Sequence, residues 1–79
     1  MYHLIMSEWN ILNSHEKPVT TVLPQEHASV AAAQEALDSE VHALRTQHVC
    51  GVAYNTSKTQ CLIGYGHTSR LYRIVEDVP

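Results

Sequence analysis

The fold of this 79-residue chain is decided by residues 27–47, HASVAAAQEALDSEVHALRTQ. The apolar residues of this stretch recur at steps of three and four, which places them in one narrow stripe along one side of an α-helix. Ala, Glu, Gln and Leu dominate the stretch, and all four are good helix formers. The pattern therefore predicts one helix over residues 27–47 with a single face toward a core. The stripe consists of Val30, Ala33, Leu37, Val41 and Leu44.

The residues before the helix favour two strands. Residues 19–23, VTTVL, are β-branched except for the last, which is typical of a strand. Residues 13–18 are polar and end in proline, so they predict a turn. Residues 2–7 fit a strand that continues into a bent second half and pairs with residues 19–23 as a hairpin. A helix over residues 1–12 is the alternative, because three of their apolar side chains have helical spacing: Ile5, Trp9 and Leu12.

Three further strands are predicted after the helix, over residues 49–54, 60–65 and 70–75. Residues 55–58, NTSK, have the composition of a turn between the first two. The element order is therefore β-β-α-β-β-β. Sequential hairpins imply an antiparallel sheet with the helix packed on one face. We expect one α+β domain over residues 1–79.

Side chains in these strands alternate between two faces of the sheet. Symmetric pairing across residues 55–58 would place Tyr54 opposite Thr59 and Val52 opposite Cys61. The bulky face should then pack on the helix, and it carries Cys50, Val52, Tyr54, Cys61, Ile63 and Tyr65. The opposite face has smaller side chains and is free to contact something else. In the last strand, Leu71 and Arg73 lie on one side and Tyr72 on the other.

Composition and charge exclude several functions. Five Lys and Arg stand against eight Asp and Glu, and the formal net charge is −3, so the cationic footprint that nucleic-acid binding requires is missing. Apolar residues make up 44% of the chain, which is enough for a core, and the low charged fraction of 16% with few Gly and Pro argues against disorder. No apolar run approaches the ~20 residues of a membrane span, and the first residues lack the basic lead of a signal peptide. We therefore expect a cytoplasmic protein whose two cysteines are reduced.

The most suggestive chemical group is His48, Cys50, Cys61 and His67, since two Cys and two His are a common zinc ligand set. Cys61 and His67 are six residues apart, which is roughly 20 Å along a strand, whereas zinc–ligand bonds are ~2 Å long. We predict core thiols and histidines at strand ends, with a zinc-stabilised domain as the alternative. No catalytic constellation is recognisable, so the sequence predicts a non-enzyme without a cofactor.

A binding patch is the better functional prediction. Trp, Tyr and Arg dominate the energetics of protein interfaces. The predicted binding residues are Trp9, Arg70, Tyr72 and Arg73, of which the last three lie together in the final strand. The alternative for Trp9 is a place in the hydrophobic core.

In length, acidity and element order, with one Ala-rich helix after the Val-Thr-rich strand of residues 19–23, the chain resembles small proteins encoded by phages and mobile elements. Some anti-CRISPR proteins are built this way. The resemblance implies an inhibitor in the cytoplasm of a bacterial host that binds and blocks a host macromolecular complex. It carries no motif, so it assigns no site residue. The alternative is a small homo-oligomer, such as a homodimer, with a ligand pocket at the subunit interface.

Overall fold

The computed structural model describes residues 1–13 and 15–77, so Ser14 of the predicted turn, Val78 and Pro79 lie outside the described residues. The predicted α+β architecture and the order β-β-α-β-β-β are confirmed. The elements are β1 (Tyr2–Asn10), β2 (Val19–Val22), α1 (Val30–Gln47), β3 (Gly51–Tyr54), β4 (Gln60–Tyr65) and β5 (Thr68–Glu76). The five strands form one antiparallel sheet in the order β2-β1-β5-β4-β3. The first and last strands, β1 and β5, thus pair with each other inside the sheet.

Helix α1 ends at Gln47 as predicted but begins at Val30, three residues later than predicted. Its N-cap is Ser29, whose hydroxyl accepts a hydrogen bond from the Ala32 N–H at 3.1 Å. His27 belongs to the sheet instead, because its backbone exchanges two 2.8 Å hydrogen bonds with Tyr2. No helix in residues 1–13 and 15–77 is long and apolar enough to cross a membrane.

Replacement of Ser29 by Ala is expected to lower the free energy of unfolding by about 1 kcal/mol, because the Ala32 N–H loses its acceptor. Thermal denaturation followed by circular dichroism measures the effect. The control is Ser39→Ala in the middle of α1, where Ala is the better helix former and no loss is expected. Equal melting temperatures for the two variants would contradict the capping role.

One hydrophobic core lies between α1 and the sheet. Four of the five predicted stripe residues are buried, and Val30 at the start of the helix is half-buried. The sheet contributes alternate residues of β1, β4 and β5, since every second side chain faces the helix. The buried apolar residues are Leu4, Ala33, Leu37, Val41, Leu44, Cys61, Ile63 and Tyr72.

Several predicted strand limits are wrong. Residues 2–10 form one continuous strand, which excludes the helix considered for residues 1–12 and extends beyond the predicted strand. Strand β3 begins at Gly51 rather than residue 49, and β2 ends at Val22. Strand β5 already begins at Thr68, because Gly66, at φ +56°, allows a turn shorter than the predicted residues 66–69.

The pairing between β3 and β4 is also offset from the predicted register. Tyr54 lies opposite Cys61 and Val52 opposite Ile63. The cause is Asn55, whose side-chain carbonyl accepts hydrogen bonds from the backbone N–H groups of Thr59 and Gln60 at 2.8 and 2.9 Å. These bonds close a longer loop than predicted. Because the offset is two residues, each side chain keeps its predicted face of the sheet.

Candidate functional site

The side of the sheet that points away from α1 is called the open face here, because no described element packs on it. Its positions follow from strand register: Ile5 lies opposite Arg73, which in turn lies opposite Gln60. Leu71 lies between Ser7 and Leu62 in the same way. Much of this surface is apolar, and Leu62 is 46% exposed. By the same alternation, the open face comprises His3, Ile5, Ser7, Trp9, Thr20, Val22, Gly51, Ala53, Gln60, Leu62, Gly64, Ser69, Leu71, Arg73 and Val75.

Arg73 lies at the centre of the open face with an unsatisfied donor. Its Nε atom is buried and has no hydrogen-bond partner within residues 1–13 and 15–77. Its neighbours across the two adjacent strands are Ile5 and Gln60, neither of which supplies a carboxylate. A buried donor without an acceptor costs about 1–3 kcal/mol. The Arg73 guanidinium on the open face therefore has an N–H group for which the described residues supply no acceptor.

Trp9 lies on the same face, near the end of β1, opposite Ser69. It is half-buried and is not one of the buried core residues, so the core placement considered for it is wrong. Beside it is a cavity of about 430 Å³ whose lining includes Ile11 and Pro18. Trp9 and Arg73 are four positions apart on adjacent strands, which is about 13 Å.

The other two predicted binding residues lie on the opposite side of the sheet. Tyr72 is 1% exposed and belongs to the core, so its predicted place in an exposed patch is wrong. The Arg70 Nε–H donates to Glu8 at 2.8 Å, and another guanidinium N–H donates to the Tyr72 hydroxyl at 3.2 Å. The predicted group of four therefore divides into two pairs. Alternation along β5 already separates Arg73 from Tyr72.

The pKa shifts of Arg70 and Tyr72 indicate that these two residues stabilise the fold. Burial raises the pKa of Tyr72, and the neighbouring Arg70 only partly opposes that shift. Burial alone would lower the pKa of Arg70, but its hydrogen bonds to Glu8 and Tyr72 raise it above its ordinary value. The Arg70 guanidinium also lies 5.6 Å from the centre of the Tyr65 ring. Arg70 thus remains charged and is already bonded within the fold.

The structure does not bring together the residues of the alternative zinc site. His48 stacks on Tyr65 with ring centres 4.5 Å apart. His67 is exposed in the turn between β4 and β5. Cys50 and Cys61 are free thiols, and burial raises the pKa of Cys61, which keeps that thiol protonated. Among the described residues, these four side chains do not form a group of metal ligands.

One group of possible metal ligands is found among the described residues, and sequence reasoning missed it. His3, Glu26 and Asp77 place ligand atoms within 4.8 Å of one another. The His3 ring bonds Asp77 through Nδ1, while its Nε2 lies 3.6 Å from Glu26. Both ring nitrogens thus face carboxylates, and the Asp77 N–H also donates to the Met1 carbonyl at 2.8 Å. The group links the end of β5 to β1. His3 and Asp77 are 74 positions apart in the sequence, so no local pattern predicts their contact.

No known protein family, curated protein or solved structure matches this chain.

Proposed function

We propose that this protein is a non-enzymatic protein-binding module that uses its open face to bind and block a host macromolecular complex. This is the action expected of the small phage and mobile-element inhibitors, anti-CRISPR proteins among them, that its length and element order resemble. The observation that carries the proposal is that, within residues 1–13 and 15–77, only one side of the sheet is covered and the buried Arg73 Nε at the centre of the other, apolar side has no acceptor.

Three properties of the open face support a macromolecular ligand. Contiguous apolar surface on a small protein commonly marks an interaction site. Trp and Arg are the residues most enriched among interface hot spots, and Trp9 and Arg73 lie on this surface. Their separation of about 13 Å fits within one standard interface, which covers ~800 Å² on each partner.

The chemistry of the partner follows from Arg73. A buried guanidinium N–H is best satisfied by a carboxylate, which forms a charge-assisted hydrogen bond. None of the strand positions on the open face is Asp or Glu, and the carboxylates at its edge, Asp77 and Glu26, already contact the ring of His3, so a second copy of this face offers Arg73 no uncommitted carboxylate. The favoured partner is therefore a different protein with an acidic residue inside an apolar surface. A homodimer through the open face is the competing arrangement.

The test compares two single substitutions that add the same charge on opposite sides of the molecule. Leu62→Glu changes the open face, and Ala43→Glu changes the exposed side of α1. Proteins from a bacterial lysate that wild type retains are identified, purified and titrated against wild type and both variants. We expect Leu62→Glu to weaken binding at least tenfold and Ala43→Glu to leave it unchanged. Wild type should also lower the activity of the purified complex, and Leu62→Glu should not.

Two results would overturn the proposal. One is equal affinity of Leu62→Glu and wild type for every purified partner, with both variants folded by circular dichroism. The other comes from light scattering on the purified protein: a dimer that Leu62→Glu dissociates would show that the open face binds a second copy.

A further inference from the structure

The outer edge of the sheet at β2 has no partner strand. Strand β2 is the first strand in the sheet order, and among residues 1–13 and 15–77 no strand lies beyond it. All of its residues are exposed, and its terminal valines, Val19 and Val22, are 67% and 57% exposed. Edge strands present free backbone groups that can pair with another strand, and proteins often protect them with charged side chains. Strand β2, VTTV, has no charged residue.

The pairing with β1 determines which backbone groups of β2 point outward. The Leu23 N–H donates to the carbonyl of Leu4, which lies directly opposite in the register of β1 and β2. Every second residue of an antiparallel strand bonds to the same neighbour, so Thr21 also bonds to β1, whereas the N–H and C=O groups of Thr20 and Val22 point away from the sheet. The described residues supply no backbone partner for these outward groups.

Two prolines limit the length of this unpaired edge. Pro18 and Pro24 occupy the next outward-pointing positions on either side of Thr20 and Val22, and proline has no N–H to donate. Neither proline therefore removes a bond to β1, but a partner strand finds outward N–H donors only at Thr20 and Val22. The edge thus fits a partner strand as short as β2 itself.

We propose that β2 pairs with β2 of a second copy of this chain, about a two-fold axis perpendicular to the sheet. In an antiparallel pair centred on Thr21, Thr20 lies opposite Val22 of the second copy, and the two residues exchange N–H···O=C bonds. All outward groups of these residues are then bonded in both copies. The side chains also match: Thr21 faces Thr21 on the axis, and Val19 faces Leu23 of the second copy. Such self-complementarity is what a two-fold interface requires.

The position of α1 leaves room for this pairing. Helix α1 packs over β1 and β5. Val19 and Thr21 point to the same side of the sheet as α1 and are nevertheless exposed, so α1 does not cover β2. Because the axis is perpendicular to the sheet, both helices lie on one side of a continuous sheet and both open faces on the other. So short a strand covers far less than the ~800 Å² per partner of a standard interface, so the dimer should form only at high protein concentration.

Single cysteines test the register. Thr21→Cys places two thiols opposite each other on the axis, at a non-hydrogen-bonded pair whose Cα atoms are about 4.5 Å apart, within the range of a disulfide. Thr20→Cys is the matched control, because its two copies lie diagonally, about 7–8 Å apart. With a mild oxidant, we expect Thr21→Cys to form a covalent dimer at least tenfold faster than Thr20→Cys or wild type on non-reducing gels. Equal rates, or faster cross-linking of Thr20→Cys, would overturn the proposed pairing.

Sedimentation equilibrium at rising protein concentration measures the association without a cross-link. Thr21→Lys places two ammonium groups opposite each other and should weaken the dimer at least tenfold. Thr46→Lys adds the same charge at an exposed position of α1 and should dimerise like wild type. Circular dichroism checks that both variants are folded. The proposal is overturned if wild type stays monomeric into the millimolar range, if both variants dimerise equally, or if association continues beyond a dimer.

This inference and binding through the open face can fail separately. Leu62 lies on β4, three strands away from β2 in the sheet. We therefore expect Leu62→Glu to leave the β2 dimer intact while it weakens binding of the partner protein. A dimer that Leu62→Glu dissociates and Thr21→Lys does not would overturn the β2 pairing.

Discussion

Tyr72→Ala is expected to lower the free energy of unfolding by about 3–5 kcal/mol, the range for truncation of a buried aromatic ring. Tyr72 is 1% exposed and lies on β5, where it faces Met6 on one neighbouring strand and Cys61 on the other. Its ring therefore fills the centre of the core beneath α1. Domains have only about 5–15 kcal/mol of stability, so the substitution should remove a large part of the free energy of unfolding.

Urea denaturation followed by circular dichroism measures this loss, and Tyr72→Phe is the matched control. Phe keeps the ring in the core and removes only the hydroxyl that accepts from Arg70, which should lower the free energy of unfolding by about 1 kcal/mol. A loss below about 1 kcal/mol for Tyr72→Ala would show that the ring is not a core residue. That outcome would return Tyr72 to the surface patch expected from the sequence.

Local periodicity predicted much of this fold. The apolar stripe of α1 identified the helix, its end at Gln47 and four buried residues, because a period of 3.6 residues is set by the helix itself. Alternation predicted which side chains of β3 and β4 face the helix. This assignment is correct although the predicted register is wrong, because an offset of two residues leaves each side chain on the same face. The limits of β4 were also predicted correctly.

The errors come from contacts that no local pattern contains. The helix begins late because His27 pairs with Tyr2, a partner 25 positions away. The register of β3 and β4 depends on the hydrogen bonds of one side chain, Asn55. The predicted binding patch is wrong for a different reason: Arg70 and Tyr72 are residue types common at interfaces, but alternation along β5 places them on its inner side.

Arg73→Met is expected to raise the free energy of unfolding by about 1–2 kcal/mol, an effect opposite in sign to that of most substitutions. Met has a similar unbranched shape and can cover the same surface, but it has no N–H that needs an acceptor. The substitution thus removes the buried, unsatisfied Nε of Arg73. The shift of the urea midpoint at an unchanged slope measures the gain.

Arg70→Met is the matched control, because it makes the same change three positions away on the same strand. Arg70 is bonded to Glu8 and Tyr72, so its loss leaves a partly buried carboxylate without its partner and should lower stability. A higher urea midpoint for Arg73→Met and a lower one for Arg70→Met would show that the Arg70 guanidinium is bonded within the fold whereas that of Arg73 lacks an acceptor. A destabilised Arg73→Met would mean that Nε finds its acceptor within the free protein.

The direction in which Arg73→Met changes the free energy of unfolding bears directly on function. If an unsatisfied donor lowers the stability of the free domain, a bound carboxylate that satisfies it contributes to affinity. Arg73→Met should therefore stabilise the free protein and, at the same time, weaken its binding to the purified partner about tenfold or more. A residue that serves only the fold would change both quantities in the same direction, because a less stable domain also binds less. The combination of higher stability and weaker binding would identify Arg73 as a contact residue of the open face.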